Sequence, residues 1–564
     1  MWFTEDVDTR KKRKEELKQS LLGTLAEMEN VRRPTEAIRW EACALVKHRT
    51  EAFNLSKSKI EAIPLHSNVQ VEATNTAVNG IMGYLISQNI RWFNFTTQGK
   101  NFQNADKIFG AKDHLELVVS TLLNVFSQCN FYSSTHLATK DAFVQGTSAE
   151  FIVDDLKSGG MAYDTIDPQE FYISENDNRR VDTFYRVYEI PANLAYKKWG
   201  EKLPAEVKRL IKNNAGHQRI KLLHAIYPRR NALNRMGNAI ISTSKQYASV
   251  HFSYVGEEIF LESGYDEFPV AVHRWFLNGT SPYGSSPVIE LVEEIKKLDK
   301  MAYLYMMAAD KNANPPIFAP EVLKGRLNLN PGGRNYANLA QTGEPKVFPS
   351  TLDLNHLANE IQMQTRVIQQ SLYSDLFNIL MRQDQQRTAT EVREIKGEGL
   401  VLLSSIIGNM QEEKITPLIM RTYHILRKGG YLPPPPDELV KASQGGQVKV
   451  ELDGPLAQNM KAYHQTVGIT QGMQALAAVM QLNPDSQVNV DFDELIRQAM
   501  SANGMPQSII REIAEVKKIK KQQQEILEAQ AQAQQMQAQA DAVNKLSKAE
   551  GSTAQQFMQG VAGR

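Results

Sequence analysis

The chain has 564 residues, of which 42% are apolar and 23% are charged. This length exceeds what one hydrophobic core usually organises, and the balance of apolar and charged residues excludes a globally disordered chain. The 64 lysines and arginines nearly equal the 63 aspartates and glutamates, which excludes the basic excess of a tight nucleic-acid binder, so any DNA contact should be local or weak.

The cysteines and the apolar runs of the chain indicate which kind of protein to expect. Cys43 and Cys129 each stand alone in an apolar helical context, so neither a disulfide framework nor a zinc cluster is expected. The first residues lack the apolar stretch and cleavage site of a signal peptide, and the longest apolar run, 400–407, is too short to span a bilayer. We therefore expect a soluble protein, made in the cytoplasm, without membrane contact and without a cofactor.

The first 63 residues have the periodicity of helices. Apolar residues recur at helical spacing from Leu17 to Met28, and Pro34 is expected to separate this helix from the next. The basic run Arg10–Lys14 is interpreted as a solvated first turn in preference to a phosphate site.

After residue 74 the sequence predicts strands between helices. A helical stretch from 74 runs into an alternating aromatic strand at 91–95, and another helix follows over 111–131. From residue 135 onwards the spacing of apolar residues changes from that of helices to that of strands, and short strands are predicted between turn residues. The predicted strands include 142–144, 149–153, 171–173, 183–187, 222–227, 247–254, 258–261 and 270–277. Asp154-Asp155 with Ser158-Gly159-Gly160 predicts a hairpin turn. The prediction is an α+β region.

Two long helices with an excursion between them form the most informative stretch. Pro287 opens the first helix, which keeps one apolar face until Asn314-Pro315-Pro316. The capping box Ser350-x-x-Asp353 opens the second, whose apolar face continues to Ile379. The intervening Gly-, Asn- and Pro-rich segment is too long for an ordinary connection, so a stalk with a small head is expected.

A third long helix is predicted from the capping box Thr388-x-x-Glu391 to Lys428, about 60 Å long, with a kink at Pro417 and a cap at Gly429-Gly430. Further helices are predicted around 456–480 and 491–502. The Gln- and Ala-rich segment 514–548 has a heptad-like apolar seam comprising Ile519, Ile526, Ala529, Ala533, Met536, Ala540 and Val543. A helix that needs copies of itself and a disordered tail both fit this composition.

The sequence lacks the motifs of common catalytic sites. It contains no phosphate-binding Gly-x4-Gly-Lys-Ser/Thr loop, no His-Glu-x-x-His and no Gly-x-Ser-x-Gly. The acids of Asp491-Phe492-Asp493-Glu494 directly precede an apolar pair, as is typical of a helix N-terminus, and are not interpreted as metal ligands. The chain is therefore not expected to be an enzyme, and ATP-driven translocation by this chain is not expected.

Several passages resemble, in order, the portal (head-to-tail connector) proteins of short-tailed bacteriophages. The passages that carry the resemblance are 75–95, 141–147, 167–173, 181–186, 268–275, 283–287 and 387–392. Each is weak alone, but together with the order of helix, insert, helix, loop and helix they cover roughly residues 70 to 430.

The resemblance implies the fold and the division of the chain. An α+β, mainly helical portal fold is expected, with a wing, a helical stem hairpin, a small clip, a helical crown and a C-terminal helix that could enter a barrel. The implied ranges are 1–284 for the wing, 285–316 for the first stem helix, 317–349 for the clip, 350–381 for the second stem helix, 382–387 for the tunnel loop, 388–454 for the long wing helix and return, 455–513 for the crown and 514–564 for the barrel helix and tail.

Three groups of residues are candidates for the functional surfaces. The channel face of the stem is assigned Glu293, Lys296, Lys297 and Lys300, in alternating bands of charge. The tunnel loop is assigned Arg382, Gln383, Gln385, Gln386 and Arg387, whose arginines either touch passing phosphates or cap helix ends. The clip is assigned Lys324, Arg326, Arg334 and Lys346, facing either a protein partner or DNA.

The resemblance also implies function and partners. A ring of copies, expected to be a dodecamer, would conduct double-stranded DNA without reading its sequence, and near-zero net charge suits sliding because every neutralised phosphate adds affinity. The implied partners are the terminase large subunit, a tail adaptor, the major capsid and scaffolding proteins, and internal ejection proteins, and the implied location is the virion at the portal vertex. The alternative is an oligomeric tail or scaffold protein that does not contact DNA.

Overall fold

The structure is a computed structural model. It describes residues 7–49, 65–98, 111–155, 160–229, 245–277, 279, 281–324, 328, 336, 339–342, 346–347, 354–381, 403–435 and 447–454, together with nine positions between 519 and 537. The chain divides into two compact units, Met1–Gln458 and Asn459–Arg564. The second unit is described only at the nine positions, all helical, where Ile526 and Met536 of the predicted seam are exposed.

The first unit mixes helices and sheets, which confirms the expected α+β, mainly helical class. The helices are α1 Val7–Leu45, α2 Val69–Leu85, α3 Ala111–Gln128, α4 Phe131–Gln145, α5 Ala192–Trp199, α6 Ala205–Lys212, α7 Pro287–Glu290, α8 Val292–Ala313, α9 Leu339–Thr342, α10 Leu354–Ser371, α11 Ser374–Met381, α12 403–410 and α13 Thr416–Lys428, with 3-10 turns at Gly200–Lys202 and Glu321–Leu323. The strands are β1 Phe93–Gln98, β2 Thr147–Asp155, β3 Gly160–Ile166, β4 Phe171–Glu175, β5 Val181–Pro191, β6 Arg219–Pro228, β7 Tyr247–Ser253, β8 Glu258–Tyr265, β9 Val270–Arg274, β10 Ile317–Phe318, β11 Lys346–Val347 and β12 Gln447–Leu452.

Helix α1 is one continuous helix, so the prediction of a break at Pro34 was wrong. A proline inside a helix removes one hydrogen bond and crowds the carbonyl four residues earlier. Tertiary contacts hold the helix on both sides of it: Arg32 donates to the carbonyl oxygen of Phe171 at 2.8 Å, and the Arg39 guanidinium lies 4.7 Å from the centroid of the Tyr283 ring.

Two antiparallel sheets form the core beneath α1. The larger has the order β4-β5-β6-β7-β8, and the predicted apolar face of α1 packs on it, with Leu21, Leu25 and Met28 buried. The smaller has the order β3-β2-β9, and β2 and β3 pair from Ala149 and Ile166 outward to Asp155 and Gly160, which confirms the predicted hairpin.

Helix α4 occupies a segment where strand pattern was predicted. Residues 142–144 lie in this helix, so their assignment as a strand was wrong. Every residue from Asp141 to Gln145 is buried, and a helical segment that is buried on all sides lacks the one-sided apolar pattern that identifies helices from sequence. Gly146 ends the helix with a left-handed φ of 82°.

Strand β1 confirms the predicted aromatic strand, but its partner is distant in sequence. Phe93 pairs with Leu452 and Gln98 with Gln447, so β1 and β12 form a two-stranded antiparallel sheet. Trp92 and Phe93 are fully buried and pack with Phe126 and Phe131 of the neighbouring helices.

The described parts of the three long helices are helical as predicted, with local irregularities that include a break at Leu291 between α7 and α8. Helix α8 ends at Asn314 as expected, while the second long helix is divided between α10 and α11 at Tyr373, whose φ is 59°. The third is described from residue 403, and a π-helical turn, Gln411–Ile415, stands where a kink was predicted. Among the described helices, none has the length and apolar character needed to cross a membrane.

Candidate functional site

The root of helices α7 and α8 is held by two glycines that meet in space. The Gly146 and Gly284 loops touch so closely that a Cβ on either residue would overlap the carbonyl oxygen of the other. The amide of Gly284 donates to Oγ1 of Thr147 at 2.9 Å, and the amide of Trp275 donates to the carbonyl oxygen of Gly146 at 2.9 Å. Three of the sequence passages that carried the family resemblance therefore meet at one point.

Ser286 joins this root to the helix that follows. Its hydroxyl accepts from the amide of Ile289 at 3.0 Å, as an N-cap, and donates to the carbonyl oxygen of Val144 at 2.9 Å. Pro287 occupies the first helical position, where a missing amide hydrogen is tolerated. The start and direction of the first long helix are thus fixed by α4.

Arg274, at the end of β9, connects this root to the third long helix. Its guanidinium pairs with Glu413 and Glu175 and donates to the carbonyl oxygen of Arg179 at 3.0 Å, while its own amide donates to Glu413 at 3.0 Å. The Arg274 side chain is only 4% exposed, so each of its donors depends on these partners. The sequence passage 268–275 pointed to this region but not to this role.

A second buried ionic group lies on α4. Asp141 is fully buried and accepts a bidentate pair of hydrogen bonds from Arg49 at 2.7 and 2.8 Å and one from His48 Nε2 at 2.8 Å. Arg49 also lies 3.4 Å from Asp167. These contacts fasten the end of α1 to the core of the α+β region.

Lys414 places a further charge in the interior. Its ammonium group donates to the carbonyl oxygen of Thr135 at 2.9 Å and to Oγ1 of Thr139 at 2.8 Å. Burial lowers the pKa of Lys414 to about 8 and raises the pKa of the nearby, fully buried Glu150. Sequence reasoning missed Lys414, although its spacing from the buried Met410 and Leu418 places a lysine on the apolar face of a helix.

The four charged residues assigned to the stem channel lie near the start of α8, but they are not equivalent. Lys296 is held by Glu41 of α1 at 2.7 Å and by Glu293 at 2.9 Å, and these hydrogen bonds raise its pKa. Glu293 thus pairs with Lys296 and not with Lys297, which lies 3.8 Å from Glu294.

The rest of this helix surface is balanced in charge. Lys300 lies over the ring of Tyr303 with Nζ 5.1 Å from the centroid. Helix α8 carries four acidic and four basic residues, so it offers no strongly cationic face.

Helices α8 and α10 form a pair, and the small segment that contains β10 and β11 lies between them in sequence. They pack together, and Gln364 of α10 donates to Glu294 at 2.6 Å. At the base, Asp299 accepts from the amides of His66 and Ser67 at 2.5 and 3.1 Å, just ahead of α2. The contacts of Asp299 were not predictable from spacing, because its partners are more than 200 residues away.

Apolar side chains are exposed on both helices of the pair. We call this group the exposed apolar set; it comprises Leu304, Met306, Met307, Met363 and Val367. Met306 is 57% exposed and Met363 is 62% exposed. Exposed apolar groups of this kind mark contact surfaces.

The remaining assigned residues are partly within the described structure. Lys324 is exposed after a 3-10 turn, and Lys346 is exposed in the ribbon of β10 and β11, opposite Phe318. Arg326, Arg334 and the tunnel-loop residues Arg382, Gln383, Gln385, Gln386 and Arg387 lie outside the described residues, as do residues 455–513 of the predicted crown. Within the described part of the chain, no three His, Cys, Asp or Glu side chains are placed to bind a metal ion.

Comparison with known proteins gives a consistent result. The family model for bacteriophage head to tail connecting proteins matches residues 18–510. The chain is 28% identical over 492 residues to the probable portal protein of Bordetella phage BPP-1, covering 86% of each chain. It is 27% identical over 556 residues to the portal protein of Salmonella phage epsilon15, covering 95% of this chain and 96% of that protein.

Proposed function

The chain belongs to the family of bacteriophage head-to-tail connecting proteins, and we propose on this basis that its copies form a closed ring that conducts double-stranded DNA into and out of the capsid. The observation that carries the proposal is the helix pair α8–α10. It is rooted by buried contacts, its surface is balanced in charge, and it exposes apolar side chains that a second copy of the chain would cover.

The helix pair supports the division of the chain by function. In this proposal residues 1–284 are the wing, α7–α8 and α10–α11 are the stem, 317–349 are the clip, and 382–387 are the tunnel loop. Residues 455–513 are the crown, and 514–564 contribute a barrel helix in a dodecameric ring. The clip binds the terminase motor during packaging and the tail adaptor afterwards, and the wing meets capsid and scaffolding proteins.

Charge balance explains how such a channel can pass DNA. Each phosphate that a protein neutralises adds salt-dependent affinity, which would have to be broken at every step of translocation. Because Lys296 is already held by two carboxylates, Lys297 and Lys300 are the lysines of the stem group that remain to meet phosphates weakly. The energy for movement comes, in this proposal, from a separate motor protein.

Electron microscopy of the purified protein tests ring formation. We expect closed rings with a central hole, whereas rods without a hole would support the alternative of a tail or scaffold protein. Met306→Glu combined with Met363→Glu should abolish rings, because two charges would be buried between subunits. Leu194→Glu is the matched control, since Leu194 is 53% exposed on α5 and its replacement should leave rings intact.

Packaging of DNA tests the conduit. Replacing Arg382 and Arg387 with alanine should leave rings intact but alter the amount of DNA that is packaged or retained. Loss of the rings themselves would show that the loop has a structural role and would contradict its assignment as a DNA contact.

A further inference from the structure

The short helices α5 and α6 cover one face of the larger sheet. Ala195 and Val207 of these helices lie in one buried cluster with Leu222 of β6. Leu223, the next residue of β6, lies instead in the buried cluster that contains Leu21 of α1. Because successive side chains of a strand point to opposite faces, α1 and the pair α5–α6 lie on opposite faces of the sheet.

The outer side of this pair, together with the start of β6, carries a strong excess of positive charge. Residues 191–221 contain eight lysines and arginines but only two acidic residues, whereas the whole chain has a net charge of +1. Helix α1, on the opposite face, is nearly balanced, with nine basic and seven acidic residues. We call the exposed cations of 191–221 the basic surface; they are Lys197, Lys198, Lys202, Arg209, Lys212, Arg219 and Lys221.

The two acidic residues of the segment do not neutralise this surface. Glu201 accepts a hydrogen bond from the hydroxyl of Tyr196 at 2.9 Å and lies 3.3 Å from Nζ of the half-buried Lys208. Its charge is therefore already engaged by a lysine that is not part of the basic surface. At most Glu206 is left to offset the seven exposed cations.

Four of these cations have no carboxylate within 4.0 Å in the part of the chain that the structure describes; they are Lys197, Lys202, Arg209 and Lys212. Lys197 lies in the last turn of α5, and Arg209 and Lys212 lie in the last turn of α6, where the helix dipole favours a cation. This effect explains the positions of three of them but supplies no counter-ion. The basic surface therefore presents four positive charges that an external anion can neutralise.

The composition of the surface favours a nucleic acid over a protein as this anion. Five of its seven cations are lysines, and lysine is depleted at protein–protein interfaces, whereas arginine is enriched there. Lysine binds phosphate as a point charge and needs no fixed bidentate geometry. A group of such charges attracts the evenly spaced phosphates of a duplex without recognising bases.

We propose that the basic surface binds the phosphate backbone of double-stranded DNA, as a second DNA contact that lies on α5, α6 and β6 and not on the stem helices. The inference goes beyond the proposed function, because DNA that is bound here does not pass through the channel. The contact is local and independent of sequence, and its affinity falls as the salt concentration rises. A closed ring repeats the surface once per subunit, which strengthens binding to a long duplex.

Closed circular duplex DNA separates this contact from the channel, because a covalently closed circle cannot be threaded through a ring that has already assembled. Binding of purified rings to relaxed circular DNA is measured by sedimentation over a range of salt concentrations. The test variant combines four substitutions: Lys197→Gln, Lys202→Gln, Arg209→Gln and Lys212→Gln. We expect it to bind roughly tenfold more weakly or worse at low salt, with a slope of log affinity against log salt that is shallower by about 3–4 for each bound subunit.

Two further variants make the result specific to this surface. The control combines Lys11→Gln, Lys12→Gln, Lys311→Gln and Lys449→Gln, which removes the same charge from exposed positions elsewhere and should bind as the wild type does. Lys197→Arg with Lys202→Arg and Lys212→Arg keeps the charge and should keep the affinity. If the test variant does not assemble, Lys202→Gln with Lys212→Gln replaces it and should show about half the change in slope.

The outcomes separate this proposal from its alternatives. Wild-type rings that do not bind circular DNA, or an equal loss of binding in the test and control variants, would overturn it. Normal DNA binding by the test variant, together with its failure to enter capsids, would assign the surface to an acidic capsid or scaffolding protein and would also overturn it. Rings that bind circular DNA but do not conduct linear DNA would instead refute the proposed function and leave this inference intact.

Discussion

Substitution of Gly146 by alanine should destabilise the protein more than the same substitution at a left-handed glycine that has free space around it. Gly146 has a φ of 82°, which costs a residue with a side chain about 1–2 kcal/mol. The new Cβ would also overlap the carbonyl group of Gly284, and overpacking of this kind costs about 1–3 kcal/mol. Together we expect a loss of about 2–5 kcal/mol in unfolding free energy.

Gly430→Ala provides the matched control. Gly430 has a φ of 75° and no neighbouring atom within 4 Å of an added Cβ, so this variant should show the conformational cost alone, about 1–2 kcal/mol. The difference between the two variants therefore isolates the contact between the two loops at the root of α7.

Urea denaturation followed by tryptophan fluorescence is a suitable assay, because Trp275 is fully buried and its amide binds the Gly146 carbonyl. Variants are compared by their midpoints at equal protein concentration. Equal shifts for Gly146→Ala and Gly430→Ala would refute the reasoning, since the two loops would then separate without cost and could not fix the direction of the first long helix.

Four further predictions concern the charged groups. Arg274→Lys should cost about 3–5 kcal/mol, because lysine cannot satisfy both Glu413 and Glu175, while Arg180→Ala should cost about 0–1 kcal/mol; comparable urea midpoints would contradict this. The pKa of Lys414 is about 8 in the folded protein and about 10.4 in an unfolded chain, so between these values the unfolded state binds more protons. The unfolding free energy of the wild type should therefore rise relative to that of Lys414→Met from pH 8 to pH 10, by at most about 1.4 kcal/mol per pH unit, and a constant difference over this range would contradict the burial of the ammonium group. Lys297→Ala with Lys300→Ala should alter the salt dependence of DNA packaging, whereas Lys296→Ala should chiefly lower thermal stability, because Lys296 is paired with Glu41. The reverse pattern would contradict this division of roles. Asp299→Ala should cost about 1 kcal/mol and speed amide hydrogen exchange at His66 and Ser67 alone, so unchanged exchange there would contradict its role in holding the residues that precede α2.

Local signals in the sequence were sufficient for much of the fold. The amphipathic faces of α1, α8 and α10, the hairpin at Asp155 and Gly160, and the end of α8 at Asn314 were all predicted, because each depends on residues within a few turns of one another.

The errors have a common physical cause. The end of helix α4 is buried on every side, and α1 continues through Pro34 because Arg32 and Arg39 bind distant residues, so in both places tertiary contacts override local preference. The same holds for the site. Lysines could be assigned to the stem, but that Lys296 binds Glu41, or that Glu413 binds Arg274, depends on partners brought together only by folding.

The pairing of β1 with β12 has a consequence for biosynthesis. Phe93 cannot meet Leu452 until about 350 further residues have left the ribosome, which at common rates of translation takes roughly 20 to 70 s. During that interval the aromatic strand has no hydrogen-bonding partner on this edge and is a ready site for pairing with another nascent chain. The β1–β12 sheet therefore forms only after most of the polypeptide has been made.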